Sequence, residues 1–283
     1  MSRPAPSSFA PPPELRFRRR IRPVEAIREL WRSRELLHSL VERELRAQYK
    51  QAVLGFAWAI ITPVAFMIVF TVFFRRVANV DTQGIPYSVF TYVGLLPWTF
   101  FSSAVMRGGL SLLSNAALLN KVYCPREVFP LAGIVSAAID TLIAMVVLGV
   151  LFAITGVAPQ PTSVLIPVLL VIQLAFTIGV TLLAAAVVVY FRDLRHALPL
   201  VLQFGILATP VAYGLEVIPQ NVRVIYEVLN PLAPIIDGYR RVILFGQPPL
   251  WDTLIPAAVA SFAWLVGAFV LFKHLEIGFA DVV

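Results

Sequence analysis

Residues 164–191 carry no charged side chain at all. No other feature restricts the folding options of this chain so tightly. A helix of about 20 apolar residues crosses the hydrocarbon of a bilayer. In that medium every backbone polar group must be satisfied within the segment. The pattern recurs at 53–74, 88–106, 128–154, 197–215 and 253–272, and one acid, Asp140, interrupts it. Six transmembrane helices are therefore expected, in an all-α integral membrane protein. Composition agrees: 59% of residues are hydrophobic, 14% are charged, and the mean hydropathy is +0.81. A soluble domain carries roughly 25% charged residues. The charge here is too sparse to clothe a soluble globule, which excludes a soluble enzyme, a disordered chain and a coiled coil.

Where the charge sits matters as much as its scarcity. The net charge is +7, and the first 50 residues hold more than half of the 23 Lys and Arg. Such a balance can signal nucleic acid, but these charges cluster at the N-terminus and in short loops, the pattern of topology control. No nucleic-acid partner is expected. Residues 1–33 read as a disordered, basic N-terminal segment, rich in Pro and Ser and then in Arg (Arg16, Arg18, Arg19, Arg20, Arg22). No apolar stretch of signal-peptide type follows it. Residues 34–283 form the transmembrane domain. At its start Leu36, Leu37, Leu40, Val41 and Leu45 recur at helical spacing over 34–51, with Glu42, Arg43, Arg46 and Lys50 opposite. This is a basic amphipathic helix, expected in the headgroup layer. The positive-inside rule places the N- and C-termini in the cytoplasm and leaves Arg75, Arg76, Arg223, Arg240 and Arg241 outside.

Two loops exceed the usual length. The cytoplasmic segment 108–127 is long enough for a short helix, bounded by Gly108–Gly109 and Pro125. The external segment 214–252 holds two apolar patches, 222–229 and 234–245, separated by Asn230–Pro231. Each patch is too short to span, so re-entrant or interfacial helices are expected.

Several chemistries have no support. The chain has no Gly-Lys dipeptide and hence no phosphate-cradling P-loop, and no zincin or nucleophile-elbow motif. The single Cys124 forms no internal disulfide, and His38, His196 and His274 lack zinc spacing. Asp140 is the one acid within the spans, whereas proton-coupled carriers usually hold several such groups. The chain reads as a conduit powered from elsewhere.

Five stretches carry a family resemblance: ERELRAQYKQAVLGFAWAIITP (42–63), YVGLLPWTFFSSAV (92–105), LLNKVYCPREVFPL (118–131), YFRDLRHALPLVLQFGILATPVAYG (190–214) and NPLAPIIDGYRRVILFGQPP (230–249), with the ending LEIGFADVV. In this order they resemble the ABC-2-type permeases that export O-antigen, galactan, capsule and teichoic acid. The resemblance implies a homodimer of six-helix subunits in the inner membrane, joined to two ATP-binding cassette subunits on a separate chain. It implies a polysaccharide substrate on a polyprenyl diphosphate or other lipid anchor. No cofactor is expected on this chain, and ATP and Mg are expected on the partner subunit. An ABC-2 exporter of a small hydrophobic drug or lipid is the alternative within transport. A membrane glycosyl- or acyltransferase is the alternative of another class, and the missing acid or His cluster weighs against it.

Four groups of residues then acquire candidate roles. Asn115, Asn120, Lys121, Tyr123, Arg126 and Glu127 offer an ATPase-coupling segment, although a helix merely lying on the membrane fits the same stretch. Phe66, Phe70 and Phe73 fall on one helix side, and Tyr87, Phe90, Trp98 and Phe101 within one arc. They suit a glycan path, because sugar C–H faces pack on aromatic rings; lipid contact or packing fits them too. Arg43, Arg46, Lys50, Arg192 and Arg195 suit a lipid pyrophosphate, which a forked guanidinium grips with two bonds. Positive-inside anchoring explains them equally well. Ile225, Leu229, Ile235, Tyr239, Arg240 and Arg241 are candidates for an external gate, with Arg240–Arg241 set at the outer headgroups. Asp140 should face the protein interior, with Arg107 expected at a different depth.

Overall fold

The computed structural model describes residues 23–49, 57–77, 84–119 and 124–279, with the single positions 55 and 82. Helices and their connections account for all the regular structure among the described residues. Two polar helices lead, α1 (Pro23–Arg32) and α2 (Arg34–Tyr49). Helix α1 falls within the segment read from sequence as disordered. Val24, Ile27, Leu30 and Trp31 recur there at helical spacing, a pattern that favours an amphipathic helix. Then come α3 (Ala57–Val77), α4 (Tyr87–Ser114) and the single turn α5 (Ala116–Leu119). They are followed by α6 (Val128–Thr155), α7 (Ile166–Tyr190), α8 (Leu194–Ala208), α9 (Gln220–Leu229), α10 (Leu232–Arg240) and α11 (Trp251–Leu275).

Among the described residues four helical stretches are long and apolar enough to cross a membrane: α4, α6, α7 with its preceding 3-10 turn from Pro161, and α11. Two shorter apolar helices, Ala57–Phe73 within α3 and Leu194–Ala208, stand beside them. One end of the bundle collects α2, the C-termini of α4, α7 and α11, and the N-terminus of α6. There the Tyr190 hydroxyl donates to the Leu275 carbonyl at 2.8 Å. At the other end the Tyr87 hydroxyl donates to the Ala212 carbonyl at 2.5 Å, and the Gln160 amide to the Ile243 carbonyl at 3.0 Å.

Helix α4 is the axis of the bundle. Val89, Tyr92, Leu95, Ala104 and Leu112 are fully buried along it. It crosses α6 at backbone contact: a Cβ on Gly133 would meet the Gly108 nitrogen at 2.5 Å and its Cα at 2.7 Å. Small residues at such crossings replace the hydrophobic drive that lipid cannot supply. This corrects the expected helix break at Gly108–Gly109. Those glycines serve close packing, and α4 continues to Ser114. Among the described residues the intervening short helix is α5, whose Leu118 and Leu119 pack against the apolar cluster at this end of the bundle.

Beyond α8 the chain turns sharply. Pro210 lacks an N–H and cannot extend the helix, so α8 ends at Ala208. A loop and the 3-10 turn Leu215–Val217 lead to α9 and α10, which Asn230–Pro231 separates. Helix α10 is packed inside the subunit, whereas α9 presents Val222, Val224, Ile225, Val228 and Leu229 outward. A π-turn, Arg241–Phe245, closes on Gly246 at φ +66° and returns the chain toward α11.

Candidate functional site

A cavity of about 480 Å³ opens between α3, α4, α6 and α8, with Gln48 of α2 at one end. Its volume lies within the range of small-molecule sites. Trp58, Phe66 and Trp98 supply aromatic faces. Thr62, Thr99, Ser102, Ser103, Thr141 and Gln203 supply neutral hydrogen-bonding groups. The wall is amphipathic because α4 and α6 aim single polar side chains from otherwise apolar helices.

At the α2 end the wall carries a charged pair. The Arg107 guanidinium donates to the Asp140 carboxylate and, at 2.9 Å, to the Ser136 hydroxyl. The Tyr49 hydroxyl also donates to Asp140, and Gln48 Nε2 approaches it at 3.4 Å. The pair is largely buried, with side-chain exposures of 20% and 13%. Nearby, burial pushes the Glu44 carboxyl above the usual range, against the opposing pull of Arg107 and Arg43. This geometry corrects the expectation that Arg107 and Asp140 differ in depth. Because α4 runs on to Ser114, Arg107 sits about two turns inside the helix and meets Asp140 across the crossing.

The opposite end is held by Arg240. Its side chain is 1% exposed, and it donates to the carbonyls of Phe90, Pro210, Val211 and Tyr213. The ring of Phe90 lies 3.9 Å from its guanidinium carbon. Arg240 is therefore no headgroup anchor. Its acceptors are carbonyls that find no helical partner beyond the end of α8, together with that of Phe90. Beside it the Tyr239 hydroxyl donates to Gln173 Oε1 at 2.9 Å, and Gln173 donates to the Pro97 carbonyl at 2.9 Å.

The ABC-2 type transporter family matches residues 35–244. The chain belongs to that family. It is 34% identical over 259 residues to the O-antigen export system permease protein RfbA of Myxococcus xanthus, covering 91% of this chain and 99% of that one. It is 29% identical over 213 residues to a protein of the same name from Klebsiella pneumoniae, covering 75% and 81%. The polysialic acid transport protein KpsM of Escherichia coli is 26% identical over 215 residues, covering 74% and 81%.

Within this ABC-2 chain the sequence candidates scatter. Of the aromatics, Trp98 and Phe66 line the cavity. Phe70, Tyr87, Phe90 and Phe101 are packed in the main core, with Phe101 stacked on Phe176 at 5.4 Å. Phe73 faces outward. In the proposed coupling segment, Asn115 ends α4 and accepts from Arg43. Arg126 donates to the Glu276 carbonyl and lies 5.7 Å from the Phe279 ring centroid. Glu127 is 2% exposed and pairs with Lys273. Asn120, Lys121 and Tyr123 lie outside the described residues, as does Lys50. Arg46 pairs with Glu42 on the outer face of α2. Arg192, between α7 and α8, and Arg195, in the first turn of α8, are exposed. Of the gate candidates, Ile225 and Leu229 are exposed on α9, Ile235 and Tyr239 are buried on α10, and Arg241 pairs with Asp237 at 2.8 Å.

Sequence reasoning passed over Trp58 and the neutral polar wall. A signal was present: Thr99, Ser103 and Arg107 repeat at i, i+4, i+8. Three polar residues on one face of an apolar helix mark a surface that lipid does not cover.

Proposed function

We propose that this chain is the membrane-spanning permease subunit of an ATP-driven exporter that moves lipid-linked polysaccharide outward across the inner membrane. The observation that carries this reading is the 34% identity to an O-antigen export permease over 99% of that protein. The cavity supports it chemically, since aromatic faces and neutral hydroxyls suit a sugar chain better than a greasy drug. In this reading α3 and α8 complete a set of six spans, both termini are cytoplasmic, and two copies assemble with two ATP-binding subunits. ATP and Mg bind on those partner subunits. The segment 115–127 receives the ATPase. Arg126 and Glu127 tie it to the end of α11 and so pass its movement into the bundle. Arg43, Arg46, Lys50, Arg192 and Arg195 meet the anionic anchor and the inner headgroups. Helices α9 and α10 dip into the outer leaflet and close the exit.

The test is depletion of the protein in its source organism, followed by extraction of lipid-linked glycans. Accumulation of one such glycan on the cytoplasmic side is the expected result. An unchanged glycan pool and an unchanged cell surface would refute the reading. Purified alone, the chain should not hydrolyse ATP; turnover without a partner subunit would equally overturn it.

A further inference from the structure

We propose that Arg107 and Asp140 form a sugar-reading subsite at the α2 end of the cavity, taking adjacent hydroxyls of an uncharged pyranose. The subsite rests on the polysaccharide-export reading above and assigns recognition of the cargo to named residues.

An ion pair away from water is a weak stabiliser, because desolvation offsets most of its Coulomb gain. Charged residues within apolar helices are expensive to keep. Yet Arg107 and Asp140 stand in the wall of a cavity, on two helices that already meet through glycine backbones. Their pairing is not needed to hold α4 against α6.

Hydrogen-bonding capacity points the same way. A guanidinium has five N–H donors. The bonds to Ser136 and Asp140 leave Arg107 with donors in reserve. A carboxylate has about four acceptor sites, and Asp140 receives Tyr49 and Arg107, with Gln48 at the limit of reach. One donor and one acceptor, side by side and both unsaturated, match two neighbouring sugar hydroxyls, each of which can donate or accept.

Charge selects among ligands. Arg107 and Asp140 cancel, and among the described residues Glu44, which interacts with this pair, and Arg43, which interacts with Glu44, are again one of each sign. A dianionic phosphate would meet the Asp140 carboxylate beside Arg107, whereas a neutral polyol meets no like charge. Trp58 stands near the start of α3, at the α2 end, where its face can receive the ring's C–H bonds. Along α4, Ser103, Ser102, Thr99 and Trp98 continue the wall for about 13 Å beyond Arg107. The subsite is thus the first station of a polar track rather than an isolated pocket.

The experiment uses the chain with its ATP-binding partner in nanodiscs and measures stimulated ATP hydrolysis. Two probes are titrated: the lipid-linked glycan extracted from the source cells, and the polyprenyl diphosphate anchor without sugar. The variants are Asp140→Asn, Arg107→Lys and the exchanged pair Arg107→Asp with Asp140→Arg. Folding is checked by the thermal midpoint, and the conservative variants keep the test open if the exchanged pair fails to assemble. The expected result is a tenfold or greater rise in the half-saturating glycan concentration in every folded variant, with the maximal rate changed less than twofold. The response to the bare anchor should stay as in the unaltered protein. Unchanged half-saturation by the glycan in the folded variants would reduce the pair to a structural role and overturn the proposal. An equal loss of response to the bare anchor would overturn it too, by assigning the site to the diphosphate. If the unaltered protein responds to neither probe, the export reading itself fails.

Discussion

Exchanging Gly94 for alanine should harm this protein only while Arg240 is present. The guanidinium of Arg240 donates to Pro210, Val211 and Tyr213 carbonyls at 2.8, 2.5 and 2.9 Å and to Phe90 at 3.3 Å. It passes so close to Gly94 that a Cβ there would collide with Nη2, and would also meet the Val211 oxygen at 3.1 Å. Arg240→Ala strips a charged donor from four buried carbonyls. Bonds to a charged group contribute about 1.5–3 kcal/mol each, but release from burial returns much of the guanidinium's own desolvation. A net loss of about 2–4 kcal/mol is expected, since each buried acceptor left unpaired costs about 1–3 kcal/mol. Gly94→Ala alone forces the guanidinium off its acceptors and should cost about 1–3 kcal/mol, the usual range for overpacking. In the Arg240→Ala background the collision has gone. Alanine's helix preference over glycine, about 1 kcal/mol, then offsets the remaining squeeze against Val211. The double variant should therefore melt within about 4 °C of Arg240→Ala, taking about 2–4 °C per kcal/mol for a chain of this size. Thermal midpoints of all four proteins in one detergent measure the coupling. If the two effects add within about 0.5 kcal/mol, as for distant sites, the guanidinium does not occupy that place and the reasoning fails.

Other interactions give further expectations. Lys273→Met leaves the Glu127 carboxylate, 2% exposed, without its cation; the loss should be about 3–5 kcal/mol, and adding Glu127→Gln should recover part of it in the same melting assay. Gly133→Ala sets a methyl against the Gly108 backbone, which cannot swing aside; folded yield should collapse, while Gly149→Ala on the same helix, with open space around it, should leave yield intact. Cysteines in place of Ile225 and Ile235, in a Cys124→Ser background, should differ in labelling by a membrane-permeant maleimide at rest, because Ile225 is 65% exposed from the protein and Ile235 is 0% exposed; equal rapid labelling would contradict the buried position of α10. Burial pushes the Cys124 thiol up, so the pH at which its alkylation reaches half the maximal rate should lie above that of a free cysteine peptide; a midpoint at or below the peptide's would contradict that burial.

The sequence disclosed the apolar helices because their lengths are set by the bilayer, and length survives without knowledge of packing. It disclosed the division of 214–252 into two helices because Asn230–Pro231 interrupts the pattern with a residue that cannot continue a helix. Faces were harder to read. In a soluble helix the polar side marks the solvent, but α4, α6 and α7 are apolar all round, so periodicity cannot say which side meets lipid and which meets protein. That is why Tyr87, Phe90 and Phe101, read as lining a path, prove to be core, while Trp58 was passed over. The Arg240 side chain misled for a related reason. Arginine near a membrane end usually reaches for headgroups, and nothing local to Arg240 reveals that Pro210, thirty residues earlier, has left carbonyls in need of a donor. Polar residues on an apolar helix are the exception that stays legible. The Thr99 hydroxyl is satisfied by the Leu96 carbonyl of its own helix, so in the row Thr99, Ser103 and Arg107 at i, i+4, i+8 it is the charge of Arg107 that needs a partner or a water-filled space. By the same reasoning Asp140 had to find a cation on a neighbouring helix. Arg107 is the one Lys or Arg within α4, and α4 is the helix against which α6 packs most extensively. Their pairing then fixes the depth at which the cavity wall becomes charged.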